Sequence, residues 1–213
     1  MQAGFVNRDH QWVYVRNPKV GYTSTLVAMM RDRYPDAPQR LEPLKARMKN
    51  EGDLVDGAGI LQLVQAGFLA FTCVRDPWAK LVSVYTGHLL PNPYRPPQNL
   101  IDTDPRFEPE MSFADFVRVV ADTTDATCEF HLRSQCRSLL HRGALLPTLI
   151  GRMEQFDAYW DRVSKLTGMA PRPLRENTTK HAPFQDYYDP ELAALVGQRY
   201  QQDVGLFGYK TPR

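Results

Sequence analysis

Apolar residues along this chain fall into short continuous runs and into stripes spaced three and four apart. Trp12-Val13-Tyr14-Val15 is a run of aromatic and β-branched residues, which predicts a buried strand. Pro18 cannot donate to a ladder and closes it. Gly21 then permits a tight turn, and Thr23, Ser24 and Thr25 bring hydroxyls to a helix start, where such side chains cap well. Leu26, Val27, Met30 and Tyr34 continue at helical spacing. Residues 68–74, FLAFTCV, form a second continuous run, as expected of a strand buried on both faces of a parallel sheet. Asp76 suits an N-cap and Pro77 the first helical position. Trp78, Leu81, Val82 and Tyr85 then form an apolar stripe, with Lys80, Ser83 and Gly87 on the other side.

The rest of the pattern is sparser. Beyond Pro35 and Pro38, residues 41–50 read as a short polar helix and residues 51–59 as a loop. Ile60, Leu61, Leu63 and Val64 predict a helix ended by Gly67. Residues 90–109 carry six prolines among polar residues and read as a long loop without regular structure. Ser112 caps a helix with Phe113, Phe116, Val117 and Val120 on one face. Residues 145–150 read as a strand, followed by a helix bearing Phe156, Tyr159, Trp160 and Val163. Residues 168–186 form a proline-containing loop, and the closing aromatics Phe207 and Tyr209 read as packing. Strands alternating with helices predict an α/β fold, with a central parallel sheet flanked by helices. At 213 residues the chain fits a single domain spanning 1–213.

Composition narrows the function little. Apolar content of 43% and charge of 23% belong to an ordinary globular protein. A net charge of +2 with no basic run points away from nucleic acid as a partner. No segment approaches the roughly 20 apolar residues of a membrane span. The first residues lack a signal-peptide h-region. Cys73, Cys128 and Cys136 have no metal-binding spacing, and their odd number favours a reducing compartment. The expected setting is cytoplasmic.

The chemistry lies where the two continuous runs end. A strand–loop–helix unit aims backbone N–H groups and the positive end of a helix dipole at one point, which makes an anion site. Lys19 stands at the mouth of the first such unit and Arg75 at the second. Ligands of open α/β sheets bind at the carboxyl ends of strands, so one site is expected. The first loop is not a Walker A sequence, which places its Lys after the glycines, next to Ser or Thr. Here Lys19 precedes Gly21.

PKVGYTST, residues 18–25, instead resembles the 5′-phosphosulfate loop of sulfotransferases that use PAPS (3′-phosphoadenosine 5′-phosphosulfate), especially the carbohydrate branch. VRDPWAKLVSVY, residues 74–85, is similar to the 3′-phosphate motif of the same family, with Lys80 where the family often has Arg. Glu129 to Gln135 resembles the family's His-x-x-Pro/Ser-Gln patch, and Glu176 to Lys180 its Asn-x-Ser/Thr segment, where Lys180 would add positive charge. The resemblance runs from Val13 to Tyr209. It implies a sulfotransferase fold like that of P-loop kinases, and transfer of a sulfuryl group from PAPS to a hydroxyl or amine of a carbohydrate or other small molecule. It gives the cofactor to Lys19, Val20, Gly21, Tyr22, Thr23, Ser24 and Thr25 at one end, and to Arg75 and Ser83 at the other.

Lys19 is expected to stabilise the leaving group, and no metal is expected, because a sulfuryl group carries less charge than a phosphoryl group. The acceptor hydroxyl needs a base. His131, His88, Asp53 and Asp56 are the candidates, and His131 leads because it falls in the family-like patch and imidazoles titrate near neutrality. A role for His131 in ordering its loop or the cofactor stays open. Two other classes remain beside this one. A small-molecule kinase would need the glycine-rich loop that is absent here, and a non-catalytic nucleotide-binding protein would have no need of Lys19.

Overall fold

The computed structural model describes residues 3–21, 25, 26, 29, 33, 34, 41–90, 98–169 and 182–212. Expectations for Tyr22, Thr23, Ser24, Val27, Met30, Pro35, Pro38, residues 91–97 and Glu176 to Lys180 lie outside them. The chain divides into two compact units, Met1–Val74 with Ser138–Asn177, and Arg75–Arg137 with Thr178–Arg213.

The first unit is built on a five-stranded sheet in the order β3-β1-β2-β4-β7. Strands β2 (Trp12–Val15), β4 (Leu69–Val74) and β7 (Leu149–Arg152) run parallel, the first two as their apolar runs predict. Two strands that the hydrophobic pattern does not single out, β1 (Ala3–Asn7) and β3 (Leu54–Asp56), extend the sheet through antiparallel pairing. β3 falls within the stretch read as a loop. It is three residues long with its side chains largely exposed, so it carries no apolar signature. The strand expected over residues 145–150 splits instead. Strands β5 (Leu140–His141) and β6 (Ala144–Leu145) make a separate hairpin, and β7 starts after Pro147, which has no N–H to donate to a ladder.

Trp12, Tyr14 and Phe71 fill the core of this unit, with ring centroids 5.7 and 5.6 Å apart in the Trp12–Phe71 and Tyr14–Phe71 pairs. Such pairs add roughly 0.5–1.5 kcal/mol each beyond the area they bury. Helix α1 (Leu41–Asn50) adds Leu44 and Met48 to the cluster, and α2 (Gly57–Gln65) starts at its cap Asp56. At Gly151 a Cβ would come within 2.0 Å of Tyr159, on the helix Phe156–Thr167 that follows β7. Only glycine lets that helix lie so close to its strand.

The second unit is helical. Helix α3 (Pro77–Val84) begins as its sequence dictates, with the Asp76 carboxylate accepting from Trp78 N–H at 2.9 Å and Ala79 N–H at 3.1 Å. A π-turn, Tyr85–Leu89, continues it. The stretch 90–109 is not wholly irregular, because helix α4 (Gln98–Thr103) lies in it, fastened by the buried Leu100 and Phe107. Prolines on either side mask that helix in the sequence. Ser112 caps α5 (Phe113–Ala121), as predicted. Later come α6 (Gln135–Leu139), which crosses the boundary between the units, and then α8 (Pro190–Arg199) and α9 (Gln201–Phe207). The helix Phe156–Thr167 of the first unit is α7. Tyr200, Phe207 and Tyr209 are buried, in keeping with the packing role read for the closing aromatics.

Candidate functional site

In the first unit, the segment after β2 is tied to the neighbouring strand where the ladder stops. The Thr72 hydroxyl donates to Val15 C=O at 2.8 Å, and the buried Asn17 side chain donates to Cys73 C=O at 2.9 Å. Arg16 N–H reaches Ala3 C=O at 2.8 Å on the opposite flank. Pro18 and Val20 are buried, while Lys19 between them is half-buried. Lys19 has φ +64°, in the left-handed region that costs a side-chain-bearing residue about 1–2 kcal/mol. Gly21 follows with φ +69°, and a Cβ there would meet Met153 Cε at 3.4 Å. Thr25 N–H then bonds Gly21 C=O at 2.9 Å, and the helical residues Leu26 and Met29 enter the core. The result is a tight loop at the carboxyl end of a parallel strand, with a cationic side chain in a strained backbone position. Strain of this kind gathers at ligand sites.

In the second unit, Arg75 is held by its backbone. Its N–H donates to Gln135 Oε1 at 2.9 Å, and its C=O accepts from Gln135 Nε2 at 2.8 Å. The clasp copies a strand pairing with one side chain. Gln135 is itself fully buried, and its N–H donates to Asp203 Oδ2 at 2.7 Å, as Cys136 N–H does to Oδ1 at 2.8 Å. Asp203 thus caps α6 from 68 residues away. Ser83, two turns along α3 from Arg75, is half-buried.

Lys80 departs from the expected polar face. It is 2% exposed, its Nζ donates to Arg133 C=O, and it lies over the Tyr200 ring at 5.2 Å. Gly87 is buried too. Periodicity marked these positions as polar, but a lysine stem packs like an aliphatic chain once a carbonyl and a ring receive its ammonium. Burial draws the Lys80 pKa down, opposed by the charges of Asp203 and Asp125.

Of the four candidate bases, the structure brings two together. The His88 and His131 rings lie 4.4 Å apart. The Glu129 carboxylate accepts the His131 backbone N–H at 2.6 Å and faces its Nδ1 at 2.9 Å. Burial pushes the Glu129 carboxyl up, but the hydrogen bonds and charge of His131 outweigh it and hold it below the ordinary value. Asp53 and Asp56 serve elsewhere. Asp53 is buried, taking Tyr34 OH at 2.5 Å and Arg33 Nε at 3.4 Å, and Asp56 accepts Gly59 N–H at 2.8 Å as the α2 cap. Glu129 also lines an open depression of about 420 Å³, together with Asp102, Thr103, Thr127, Phe130 and Arg133.

Glu129, Gln135 and Asp203 are the residues whose roles sequence reasoning did not assign. Glu129 stands two residues before His131, a local signal that was there to use, and Asp203 falls in the Tyr200-x-x-Asp203 close that resembles the family's. Among the described residues no three His, Cys, Asp or Glu side chains gather as a metal site would require, and no helix is long and apolar enough to cross a membrane.

The sequence model described as "Sulfotransferase family" matches residues 2–210. Neither a curated protein nor a solved structure matches the chain.

Proposed function

Because the chain belongs to the sulfotransferase family, we propose that it moves a sulfuryl group from PAPS to a hydroxyl or amine of a carbohydrate or similar small acceptor. The observation that carries the PAPS reading is the double clasp of Gln135 on Arg75. It fixes an arginine backbone immediately after β4 and ahead of a capped helix that presents Ser83. A guanidinium offers a planar fork of donors and a hydroxyl adds one more, which suits the 3′-phosphate that distinguishes PAPS from other adenylates. The loop from Lys19 to Thr25 is assigned the 5′-phosphosulfate. PAPS, when bound, supplies the sulfuryl group and leaves as PAP (3′,5′-adenosine bisphosphate). Lys19 places its ammonium against the negative charge that grows on the oxygen leaving sulfur. His131 takes the proton of the acceptor. The acceptor itself is assigned to the depression beside Glu129, whose hydroxyls, carboxylates and aromatic ring suit a polyhydroxylated molecule.

Two substitutions test the donor assignment. Arg75→Ala should weaken PAP binding in calorimetry by about 2–4 kcal/mol, the cost of losing one side of a buried charge-assisted pair, and leave adenosine 5′-phosphosulfate nearly unaffected. Equal losses for both ligands would make Arg75 structural. Lys19→Ala should lower kcat by about 10²–10³-fold while PAP affinity falls less. Near-normal turnover would remove Lys19 from the chemistry.

A further inference from the structure

We propose that Glu129 is a positioning residue that fixes the tautomer of His131, leaving Nε2 bare to accept the proton of the sulfated hydroxyl. The inference rests on the sulfotransfer reading above and on His131 as its base. Neutral imidazole carries one proton on two nitrogens, and the hydrogen bond at one nitrogen decides which is free. At His131 that bond is made to Glu129. Glu129 Oε1 lies 2.9 Å and Oε2 3.1 Å from Nδ1, and an ionised carboxylate only accepts. Nδ1 must therefore be the donor, and Nε2 holds the lone pair. The same carboxylate accepts the His131 backbone N–H at 2.6 Å, which locks the ring's base as well as its edge.

The ring is also packed against two neighbouring rings. His88 lies 4.4 Å away and Phe130 5.5 Å away, centroid to centroid. Among the described residues, the titratable groups seen against it are Glu129 and His88. Glu129 also forms part of the wall of the depression assigned to the acceptor, so the oriented imidazole belongs to the segment that lines it. As Nε2 takes the hydroxyl proton, the acceptor oxygen forms its bond to sulfur. The bond from sulfur to the 5′-phosphate oxygen breaks, and that oxygen keeps the electron pair. The resulting imidazolium is paired with the Glu129 carboxylate until it returns the proton to water.

The plain alternative is that Glu129 only caps the short turn Phe130–Leu132. Glu129→Gln separates the two ideas, because glutamine keeps the shape and can keep the cap. Its single oxygen must take the obligatory backbone N–H of His131, which turns the amide NH₂ toward Nδ1. Nδ1 then has to accept, and the proton moves to Nε2. In ¹⁵N-histidine-labelled full-length protein, long-range ¹H–¹⁵N spectra should show neutral His131 protonated at Nδ1 in the wild type and at Nε2 in Glu129→Gln. With labelled PAPS and a pool of methyl glycosides as probe acceptors, Glu129→Gln should slow transfer by about 10²–10⁴-fold. In hydrolase triads, the amide replacement of the orienting carboxylate costs about 10⁴ through the wrong tautomer. Calorimetric PAP binding should stay intact, and Glu129→Asp should recover part of the rate. A wild-type ring protonated at Nε2, or a tautomer unmoved by Glu129→Gln, overturns the proposal. If His131→Ala transfers sulfate at the wild-type rate, the base assignment falls instead. If the wild type binds no PAP, the donor reading falls while the spectra still decide the role of Glu129.

Discussion

The two ends of the proposed cofactor are assigned to segments held in different ways. In the first unit, the loop from Arg16 to Gly21 is seated by apolar packing, with Val20 in the core beside Leu26 and Met29, and by side-chain bonds to strand carbonyls. In the second unit, the segment from Glu129 to Cys136 buries Leu132 and Cys136 and is also tied down by a network of polar groups. Asp203 takes two N–H groups, Lys80 a carbonyl, Gln135 both backbone groups of Arg75, and Asp125 the Ser134 N–H and hydroxyl together with Arg199. Apolar support weakens in proportion to what is removed. A buried polar network fails steeply, because every partner left behind is stranded.

The largest expected effect is therefore in the second unit. Asp203→Ala strands two buried N–H groups and removes the charge that most offsets the burial of Lys80, and should cost about 3–5 kcal/mol in urea unfolding. A loss below about 1 kcal/mol would show that the network does not carry this unit. Next comes Gln135→Ala, which leaves the Arg75 N–H and C=O without their partner. It should cost about 1–3 kcal/mol of stability and weaken PAP binding, while Lys19-dependent kcat changes little at saturating donor. Unchanged PAP affinity would separate the clasp from ligand binding. The smallest effect is in the first unit and has the opposite sign. Lys19→Gly relieves a left-handed residue worth about 1–2 kcal/mol and gives back roughly 0.5–1 kcal/mol in chain entropy. On backbone conformation alone the variant should be as stable as the wild type or up to about 1.5 kcal/mol more stable, yet as slow as Lys19→Ala. A clear destabilisation would mean that the lysine side chain helps to hold its loop.

The contrast also explains what could be read in advance. Trp12 to Val15 and Leu69 to Val74 announce themselves because a strand buried on both faces needs an unbroken apolar run. Asp76-Pro77 and Ser112 mark helix starts because capping is a local matter of one side chain and the next three residues. The edge strand Leu54–Asp56 and the helix Gln98–Thr103 gave no such sign. The first is short and exposed, and the second sits among prolines and is pinned by Leu100 and Phe107.

The sequence by itself determined the parallel strands Trp12–Val15 and Leu69–Val74, the capped helix after the second of them, and the family, since strand burial and capping are short-range and the family-like motifs are contiguous. Tertiary structure alone decided that Lys80 is buried, that Gln135 clasps Arg75 across 60 residues, and that Asp203 caps α6 across 68. It also set His88 against His131, 43 residues apart in the chain. Each of these depends on which distant group satisfies a buried donor, acceptor or charge. Burial makes that choice obligatory, and no periodicity along the chain encodes it.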